Sequence, residues 1–414
     1  MKVVSAWRTR RLIAASTVLV VMLQGYMLWS SDYTIDALRS GSSAAIRQMT
    51  SRLTDLRTGK NTKLILAYTQ FYGTDFEITK YAKFGKKGQK VIENPLSECD
   101  HSCEWSTDRA DYYRSDVVLF HLYNNLKNKD FILRQLPKRY KDDQKWILII
   151  REPPAFYYPE QLKLLNNTFN LSMTYQSDSD IVIPYGWYWK NTPSEVAKME
   201  REKVDHMKGK NKTVVWLVSN CITSSRREEY VNELKRHIDV DIFGGCGNKS
   251  AADNTHADKF RRVLSMQYKF YIAFENSDCD EYITEKLWRN LRLGMIPIVR
   301  GRRARYEKFA PPNSYIHADS FLNAKQLADY LKEVASNSTL FHKYHEWRIK
   351  YNTNYKTFTI NRNWLCDICD KAHEKERKTL DVYQHFSEDT RCFTYLDHLG
   401  RNRTGEHVED IDRV

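Results

Sequence analysis

The stretch that most constrains this chain is Tyr268–Gly301, which reads YKFYIAFENSDCDEYITEKLWRNLRLGMIPIVRG. Its apolar runs Phe270–Phe274 and Met295–Val299 are typical of short buried strands. Between them, apolar residues recur at helical spacing from Ile283 to Leu291. The order strand, loop, helix, strand predicts a βαβ unit. In such a unit, ligands bind where the first strand ends and the helix begins.

This junction carries polar side chains suited to ligand binding: Glu275, Asn276, Tyr282, Glu285 and Lys286. The segment FENSDCDEYITEKLWRNLRLGMIPIVRG resembles the signature of the α1,3/α1,4-fucosyltransferases, glycosyltransferase family 10. The resemblance implies an α/β fold of the GT-B type, with two Rossmann-like domains facing each other across a cleft. It also implies GDP-fucose as the donor, bound by these five residues, and inverting transfer to a hydroxyl of a GlcNAc residue.

A second segment, SNCITSSRREEYVNEL, follows the apolar run Val214–Val218 and resembles a family motif whose arginine contacts the donor phosphates. Arg227 keeps the spacing of that arginine, and we expect it and its neighbour Arg226 to bind the donor. Cations at helix N-termini stabilise the charge that grows on a departing phosphate, so we expect Arg227 and Lys286 to stabilise the GDP leaving group. The alternatives are solvated positions for the cations and a helix-dipole role for Glu285.

Glu152 directly follows the apolar run Trp146–Ile150, at the end of a predicted strand. Its context, REPPAFYYPEQLKLL, resembles an acidic motif of the same family. Inverting transfer needs one carboxylate to take the proton of the acceptor hydroxyl. We therefore predict that Glu152 is the general base. The alternative is a loop acid that pairs with Arg151.

The 414 residues are enough for two ordinary domains, and short apolar runs alternate with helical patterns in both halves. We predict an N-terminal, acceptor-side domain over residues 61–190 and a C-terminal, GDP-fucose-binding domain over residues 191–375. The charged residues 376–414 are interpreted as a C-terminal tail.

Residues 12–29 contain no charge, three arginines precede them, and the next acid is Asp32. Roughly 20 apolar residues span a bilayer, and the positive-inside rule places the preceding arginines in the cytosol. We predict a cytoplasmic tail (1–11), a transmembrane signal anchor (12–29) and a stem (30–60) of a Golgi type II membrane protein whose catalytic part is lumenal. A cleaved signal peptide is the alternative.

N-glycosylation triplets agree with lumenal exposure, although several are expected by chance in a chain of this length. They begin at Asn166, Asn170, Asn211, Asn248, Asn337 and Asn402.

The eight cysteines allow two interpretations. Cys366-x-x-Cys369, with His373 and Cys392 nearby, has weak zinc-site character. In a lumenal protein, disulfides are the default. The family resemblance implies that Cys99 and Cys103 pair with Cys366 and Cys369, in an unspecified order. Cys221 and Cys246 are left either free or paired.

Two D-x-D triplets, at residues 178–180 and 278–280, raise the question of a metal bound to the diphosphate. The family resemblance favours no tightly bound metal, with Mn²⁺ or Mg²⁺ at most stimulating the reaction.

The net charge of +13 is not concentrated in a nucleic-acid-binding motif, so we expect no nucleic acid partner. The expected partners are GDP-fucose, the membrane, and a glycan acceptor on a glycoprotein or glycolipid. The acceptor sugar is either the inner GlcNAc of an N-glycan core or a GlcNAc of an antenna. Two alternatives to this function are a transferase that uses another nucleotide sugar and a non-catalytic lumenal carbohydrate-binding protein.

Overall fold

A computed structural model describes residues 61–72, 95–121, 136–202, 204–247, 257–302, 304–354 and 364–393. The predicted anchor and stem, residues 12–60, lie outside these ranges. No helix within the ranges is both long enough and apolar enough to cross a bilayer.

The described strands are β1 (Lys63–Ala67), β2 (Cys103–Ser106), β3 (Val117–His121), β4 (Lys145–Ile149), β5 (Leu171–Thr174), β6 (Ile181–Val182), β7 (Trp187–Lys190), β8 (Lys212–Leu217), β9 (Val240–Phe243), β10 (Tyr268–Ile272), β11 (Asp278–Cys279), β12 (Ile296–Val299), β13 (Ile316–His317), β14 (Tyr351–Asn354) and β15 (Cys392–Phe393). The described α-helices are α1 (Pro159–Leu164), α2 (Pro193–Glu202), α3 (Arg227–Leu234), α4 (Ala257–Gln267), α5 (Glu285–Leu293), α6 (Tyr306–Phe309), α7 (Ala324–Ser336), α8 (Ser338–Lys343), α9 (Trp347–Lys350), α10 (Trp364–His373), α11 (Val382–Phe386) and α12 (Glu388–Arg391). Short 3₁₀ turns lie at Pro95–Glu98, Arg109–Tyr113, Pro154–Phe156 and Ala318–Ser320.

The first sheet has the strand order β2-β1-β3-β4-β5-β6, and every pairing in it is parallel. Successive residues of β4 alternate between two cores. Trp146 and Leu148 pack on one face, and Ile147 and Ile149 pack on the other. Because both faces are covered, the inner strands are continuous apolar runs, which is why the sequence predicted them.

The second sheet is also entirely parallel and has the order β9-β8-β10-β12-β13. The predicted βαβ unit is confirmed as β10, α5 and β12. In both sheets the first strand lies between the second and the third, so the strand order reverses between β1 and β3 and between β8 and β10. Ligands of open parallel sheets bind at the carboxyl ends of strands at such points.

The chain leaves the first sheet through Gly186, which packs directly on the Trp288 ring of α5. A Cβ atom added at Gly186 would lie 2.2 Å from Trp288 Cγ, so a larger residue would displace the ring. Beyond it, β7 pairs antiparallel with β14. The crossing segment is therefore packed and hydrogen-bonded.

The last part of the described chain returns to the first sheet, which corrects two of our assignments. Residues 364–373, assigned to the second domain, form α10, whose Trp364 and Ile368 pack in the core with Ile65. Residues 376–393, assigned to a tail, are folded up to β15, with Val382 and Phe386 buried in the other core of this sheet. Their few apolar residues are scattered among charges and gave no periodic signal.

Four disulfides join the described cysteines. Cys99 pairs with Cys366 and Cys103 with Cys369, which confirms the implied link and fixes its order. The zinc interpretation is wrong, because the Cys103 and Cys369 sulfurs beside His373 are bonded to each other. Cys221 pairs with Cys246. The fourth bond, Cys279–Cys392, was not predicted and joins residues 113 apart.

Candidate active site

The N-terminus of α5 is organised around a buried carboxylate. Glu275, which follows β10, is 4% exposed. Its Oε1 accepts hydrogen bonds from the backbone N and the Oγ1 of Thr284, both at 2.8 Å. Its Oε2 accepts one from Lys286 Nζ, also at 2.8 Å. Thr284 is the N-cap of the helix. Glu275 thus ties the strand end to the helix start and leaves little of its own surface for a ligand.

Lys286 lies between two carboxylates. Besides Glu275, the Glu285 carboxylate lies 3.8 Å from Nζ. Burial alone would lower the pKa of Lys286, but the charges of Glu275 and Glu285 outweigh it and raise the pKa. The side chain remains an ammonium ion and is still 26% exposed. Glu285 is the more accessible carboxylate of the two. Burial would raise its pKa, but Lys286 and Arg289 hold the pKa below its usual value.

Arg227, the first residue of α3, is 4% exposed and connects the loops after β8 and β10. It donates to Phe274 O at 2.9 Å, to Asn220 O at 3.1 Å and to Glu228 Oε1 at 3.2 Å. A guanidinium has five N–H groups, so two remain beyond these bonds. Arg227 binds Phe274 O and Lys286 binds the next residue, Glu275, so the two predicted cations hold neighbouring positions of the same loop.

Arg226 and Asn276 belong to the two loops that Arg227 connects, those after β8 and β10. Arg226 has a left-handed backbone with φ 49°, and its guanidinium pairs with Glu229 at 2.7 Å on the outer side of α3. The backbone oxygen of Asn276 accepts hydrogen bonds from the Ser224 hydroxyl and from Ser225 N, each at 3.2 Å. Asn276 Oδ1 is buried and has no hydrogen-bond partner among the described residues. Asn276 therefore holds an acceptor atom that the described fold leaves unused.

Glu152 reaches this cluster from the first sheet. It lies just beyond β4 and is partly buried. Its Oε1 accepts a hydrogen bond from the Tyr72 hydroxyl at 3.3 Å. Burial raises the pKa of the Glu152 carboxyl, and the Tyr72 hydrogen bond and the Lys286 charge oppose that rise. Glu285 also interacts with Glu152 electrostatically. The predicted base therefore lies near enough to the predicted leaving-group cation for the charge of Lys286 to act on the Glu152 carboxyl.

Three tyrosines from separate segments fill that seam. The ring of Tyr282 lies 5.2 Å from that of Tyr175 and 6.0 Å from that of Tyr185. Burial raises the pKa of all three hydroxyls, and the Glu152 charge adds to the effect in each case. Arg151 lies over the Tyr185 ring at 4.1 Å. Tyr282, predicted to bind the donor, is thus largely enclosed, and the Arg151 guanidinium packs on Tyr185 while its charge also acts on Glu152.

The acids of the two D-x-D triplets have basic or backbone partners. Asp178 pairs with Arg391 at 2.6 Å, and Asp180 pairs with Lys378. The backbone N of Arg302 donates to Asp278 Oδ2 at 3.0 Å, and Asp280 lies 3.8 Å from Arg391. In each triplet, at least one acid is held by the folded C-terminal segment or by the loop after β12.

A cavity of about 400 Å³ lies at the seam beside this cluster. Tyr175 and Tyr185 line the cavity and also border the charged cluster, but neither Glu152 nor Lys286 lines the cavity. Most of its other walls are apolar or aromatic, including Trp187, Tyr188 and Phe309. We place the chemistry at the cluster because the charged groups that could move a proton or stabilise a phosphate lie there.

The predicted glycosylation sites differ in their accessibility. Asn211 and Asn337 are exposed. Asn166 Oδ1 accepts a hydrogen bond from Tyr383 N at 2.9 Å. Asn170 uses both ends of its carboxamide, accepting from Trp146 N at 2.8 Å and donating to Lys378 O at 2.9 Å. Asn248 and Asn402 lie outside the described residues.

Sequence reasoning missed the groups that organise the site. Thr284 had a recognisable signal, since it directly precedes the helix with an acid after it. Tyr72, Tyr175 and Tyr185 had none, because each comes from a different loop and acquires its neighbours only through the fold.

Comparison with known proteins matches almost all of the described chain. A family model described as "Fucosyltransferase, N-terminal" matches residues 60–186, and one described as "Glycosyltransferase family 10 (fucosyltransferase) C-term" matches residues 207–388. The second match extends into the folded C-terminal segment.

Two curated relatives are similar to this chain over about two thirds or more of its length. The human 4-galactosyl-N-acetylglucosaminide 3-alpha-L-fucosyltransferase FUT6 is 35% identical over 279 residues, which cover 66% of this chain and 72% of that protein. Alpha-(1,3)-fucosyltransferase C of Drosophila melanogaster is 32% identical over 337 residues, which cover 76% and 74%. A crystal structure of an alpha1,3-fucosyltransferase superposes with a TM-score of 0.47 at 15% identity, covering 78% of this chain and 92% of that one.

Proposed function

Because the chain belongs to the fucosyltransferases of glycosyltransferase family 10, we propose that it transfers L-fucose from GDP-fucose, in α1,3 linkage, to a GlcNAc residue of a glycan. The names of the human and Drosophila relatives support the linkage. In this proposal the two parallel sheets are the Rossmann-like halves of a GT-B enzyme. The first sheet binds the acceptor and the second binds the donor.

One observation carries the proposal. The Tyr185 hydroxyl donates to the backbone oxygen of Arg151, next to Glu152 at the end of β4, and the Tyr185 ring lies 6.0 Å from that of Tyr282, just before α5. The charges of Lys286 and Glu285 on α5 act on the Glu152 carboxyl. Inverting displacement requires a base on one side of the reacting carbon and stabilisation of the leaving group on the other. The strand order of each sheet reverses at this crevice, where a ligand would reach both halves.

In the proposed reaction, Glu152 accepts the proton of the acceptor hydroxyl while the hydroxyl oxygen forms a bond to C1 of fucose. The bond between C1 and the β-phosphate oxygen breaks at the same time, and GDP leaves with that electron pair from the opposite face. C1 is thereby inverted without a covalent enzyme intermediate. A carboxylate with a raised pKa is the stronger base for this transfer.

The second half supplies the donor contacts. Lys286 and the two remaining N–H groups of Arg227 stabilise the charge that develops on GDP. Glu275 holds Lys286 in place, and the more exposed Glu285 accepts hydrogen bonds from ribose hydroxyls. Asn276 Oδ1 accepts a hydrogen bond from GDP-fucose, since this oxygen is buried and has no partner among the described residues.

The setting of the enzyme is also part of the proposal. Four disulfides are typical of an oxidising compartment and support a lumenal catalytic part in a Golgi type II membrane protein. The reaction proceeds without a tightly bound metal, and Mn²⁺ or Mg²⁺ only stimulates it. The partners held by both D-x-D triplets support this.

The test is a transfer assay of the purified full chain with GDP-fucose and a panel of core and antennal glycans, read by mass spectrometry. Glu152→Gln should abolish the gain of one fucose while GDP binding, measured by calorimetry, is retained. Glu160→Gln, at an exposed acid of the same segment, is the control and should keep full activity.

Near-normal turnover by Glu152→Gln would refute the assignment of the base. Activity with UDP-sugars or GDP-mannose but not with GDP-fucose would refute the donor. GDP binding with no transfer to any glycan would favour a binding protein.

A further inference from the structure

Tyr72 lies where the strand order of the first sheet reverses. It follows β1, and its ring centroid is 4.8 Å from that of His121, the last residue of β3. The Phe71 ring packs edge-on against Tyr72 at 4.8 Å and lies 4.4 Å from the His121 ring. These neighbours place Tyr72 on the acceptor side of the crevice, next to the end of β4 that carries Glu152.

The backbone of Tyr72 has an unusual conformation. Its φ of 50° lies in the left-handed region, where a bulky residue is an outlier and glycine is favoured. Burial does not compensate for this, because the side chain is still 39% exposed. Strained residues persist at functional sites, where the side chain is needed in one particular place.

The part of the side chain that needs this placement is the Tyr72 hydroxyl. It donates to Glu152 Oε1 at 3.3 Å, while the ring contacts the Phe71 ring edge-on and the His121 ring at a tilt. The residue is 39% exposed, and its hydroxyl lies at the carboxylate that would receive the acceptor proton. The C–H face of a pyranose ring is weakly positive, and it packs well on the negative face of an aromatic ring.

We propose that Tyr72 is a positioning residue for the Glu152 carboxylate and the platform on which the acceptor sugar ring stacks. The inference rests on the proposed function, in which Glu152 is the base. The hydroxyl fixes one carboxylate oxygen, so that the other points at the acceptor hydroxyl. The ring holds the acceptor sugar beside the Glu152 carboxylate.

Two variants of the purified full chain separate these roles. Tyr72→Phe keeps the ring and removes the hydrogen bond. Because that bond lowers the pKa of Glu152, the acid limb of the kcat/KM profile against pH should move to higher pH, with the acceptor KM changed less than twofold. The other charges that face Glu152 are Lys286, Glu285 and Arg151, and this variant leaves them unchanged.

Tyr72→Gly removes the ring at a position whose backbone glycine favours, so the relief of backbone strain should offset part of the lost ring packing and the variant should remain folded. Its acceptor KM should rise roughly three- to tenfold, the effect of one lost aromatic contact, while the KM for GDP-fucose stays constant. Tyr113→Phe, at a tyrosine that is 48% exposed, is the control and should move neither the pH limb nor either KM.

An unmoved acid limb in Tyr72→Phe would overturn the positioning role, and an unchanged acceptor KM in Tyr72→Gly would overturn the platform. Glu152→Gln is measured in parallel. If it is inactive while both Tyr72 variants behave as wild type, only this inference fails. If it turns over normally, the proposed base itself is wrong.

Discussion

Lys286 has two roles in the proposed site, and a double-mutant cycle can separate them. Its ammonium group neutralises the buried Glu275 carboxylate at 2.8 Å, and in the proposed function it also stabilises the leaving phosphate. Lys286→Met removes both functions, so a loss of activity in this variant alone is ambiguous. Glu275→Gln combined with Lys286→Met removes both charges but keeps one acceptor oxygen for the backbone N and the hydroxyl of Thr284.

The loss of stability and the loss of activity have different sizes and should respond differently in the double-mutant cycle. Removing one partner of a buried ion pair costs about 3–5 kcal/mol of unfolding free energy. The Lys286 side chain is 26% exposed, so water screens part of this, and we expect about 2 kcal/mol. Replacing both charges is often close to neutral, so the double variant should regain most of that stability. Losing a charged donor at a developing anion lowers kcat by roughly 10²–10³, and the double variant should not regain it.

The assay combines urea unfolding of the purified full chain, followed by tryptophan fluorescence, with kcat at saturating donor and acceptor. Lys325→Met, which breaks an exposed ion pair with Asp329 on α7, is the control and should change neither quantity. A double variant that recovers wild-type kcat together with stability would show that Lys286 only holds Glu275, and the leaving-group assignment would be withdrawn.

Three further predictions concern pH, the unpredicted disulfide and metal. Burial lowers the pKa of His121 to about 3, of His206 to about 4, and also that of His345. In the unfolded chain these histidines bind protons near pH 6.5, whereas in the folded protein they stay neutral to lower pH. The melting temperature should therefore fall as the pH drops from about 6.5 toward 4. A melting temperature that does not change over this range would contradict the prediction. Replacing Cys279 and Cys392 by serine should remove about 4 kcal/mol of stability. It should also raise the KM for GDP-fucose, because Cys279 lies in the loop between β10 and α5, which we call the donor loop. An unchanged KM would show that this disulfide does not position the donor loop. Transfer should persist in EDTA, whereas complete loss rescued only by Mn²⁺ would count against the metal-free proposal.

The inner strands of both sheets could be predicted because the fold covers them on both faces. Val117–His121 and Lys145–Ile149 are fully buried, so every residue is apolar or has buried partners. Strand β2 was missed, since CEWS lies at the sheet edge and mixes polar with apolar residues. Its partner is specified by register with β1 and by the Cys103–Cys369 bond, neither of which is visible in the local pattern.

The candidate site could be predicted in its positions but not in its contacts. The sequence places Glu275 at a strand end and Lys286 in a helix, which are the right junctions. It does not indicate that the chain between them returns so closely that the carboxylate and the ammonium pair directly. That return depends on a left-handed residue at Glu281, with φ 57°, in a loop whose residue types do not require it. Local propensity therefore located the strand–helix junction, and tertiary contacts determined which of its charges pair with each other.

The folded C-terminal segment explains how the two halves can present their groups to one crevice. Val382 and Phe386 fix the segment in a core of the first sheet, and its Cys392 holds Cys279 in the donor loop of the second half. Strands β11 and β15 pair beside this bond. The donor loop is thus connected to the first sheet at one end and to α5 at the other. In the proposed site, the Cys279–Cys392 disulfide links the two halves before any ligand binds. Bringing Glu152 toward Lys286 therefore does not depend on domain closure alone. Such preorganisation lowers the cost of assembling charges at the moment of reaction.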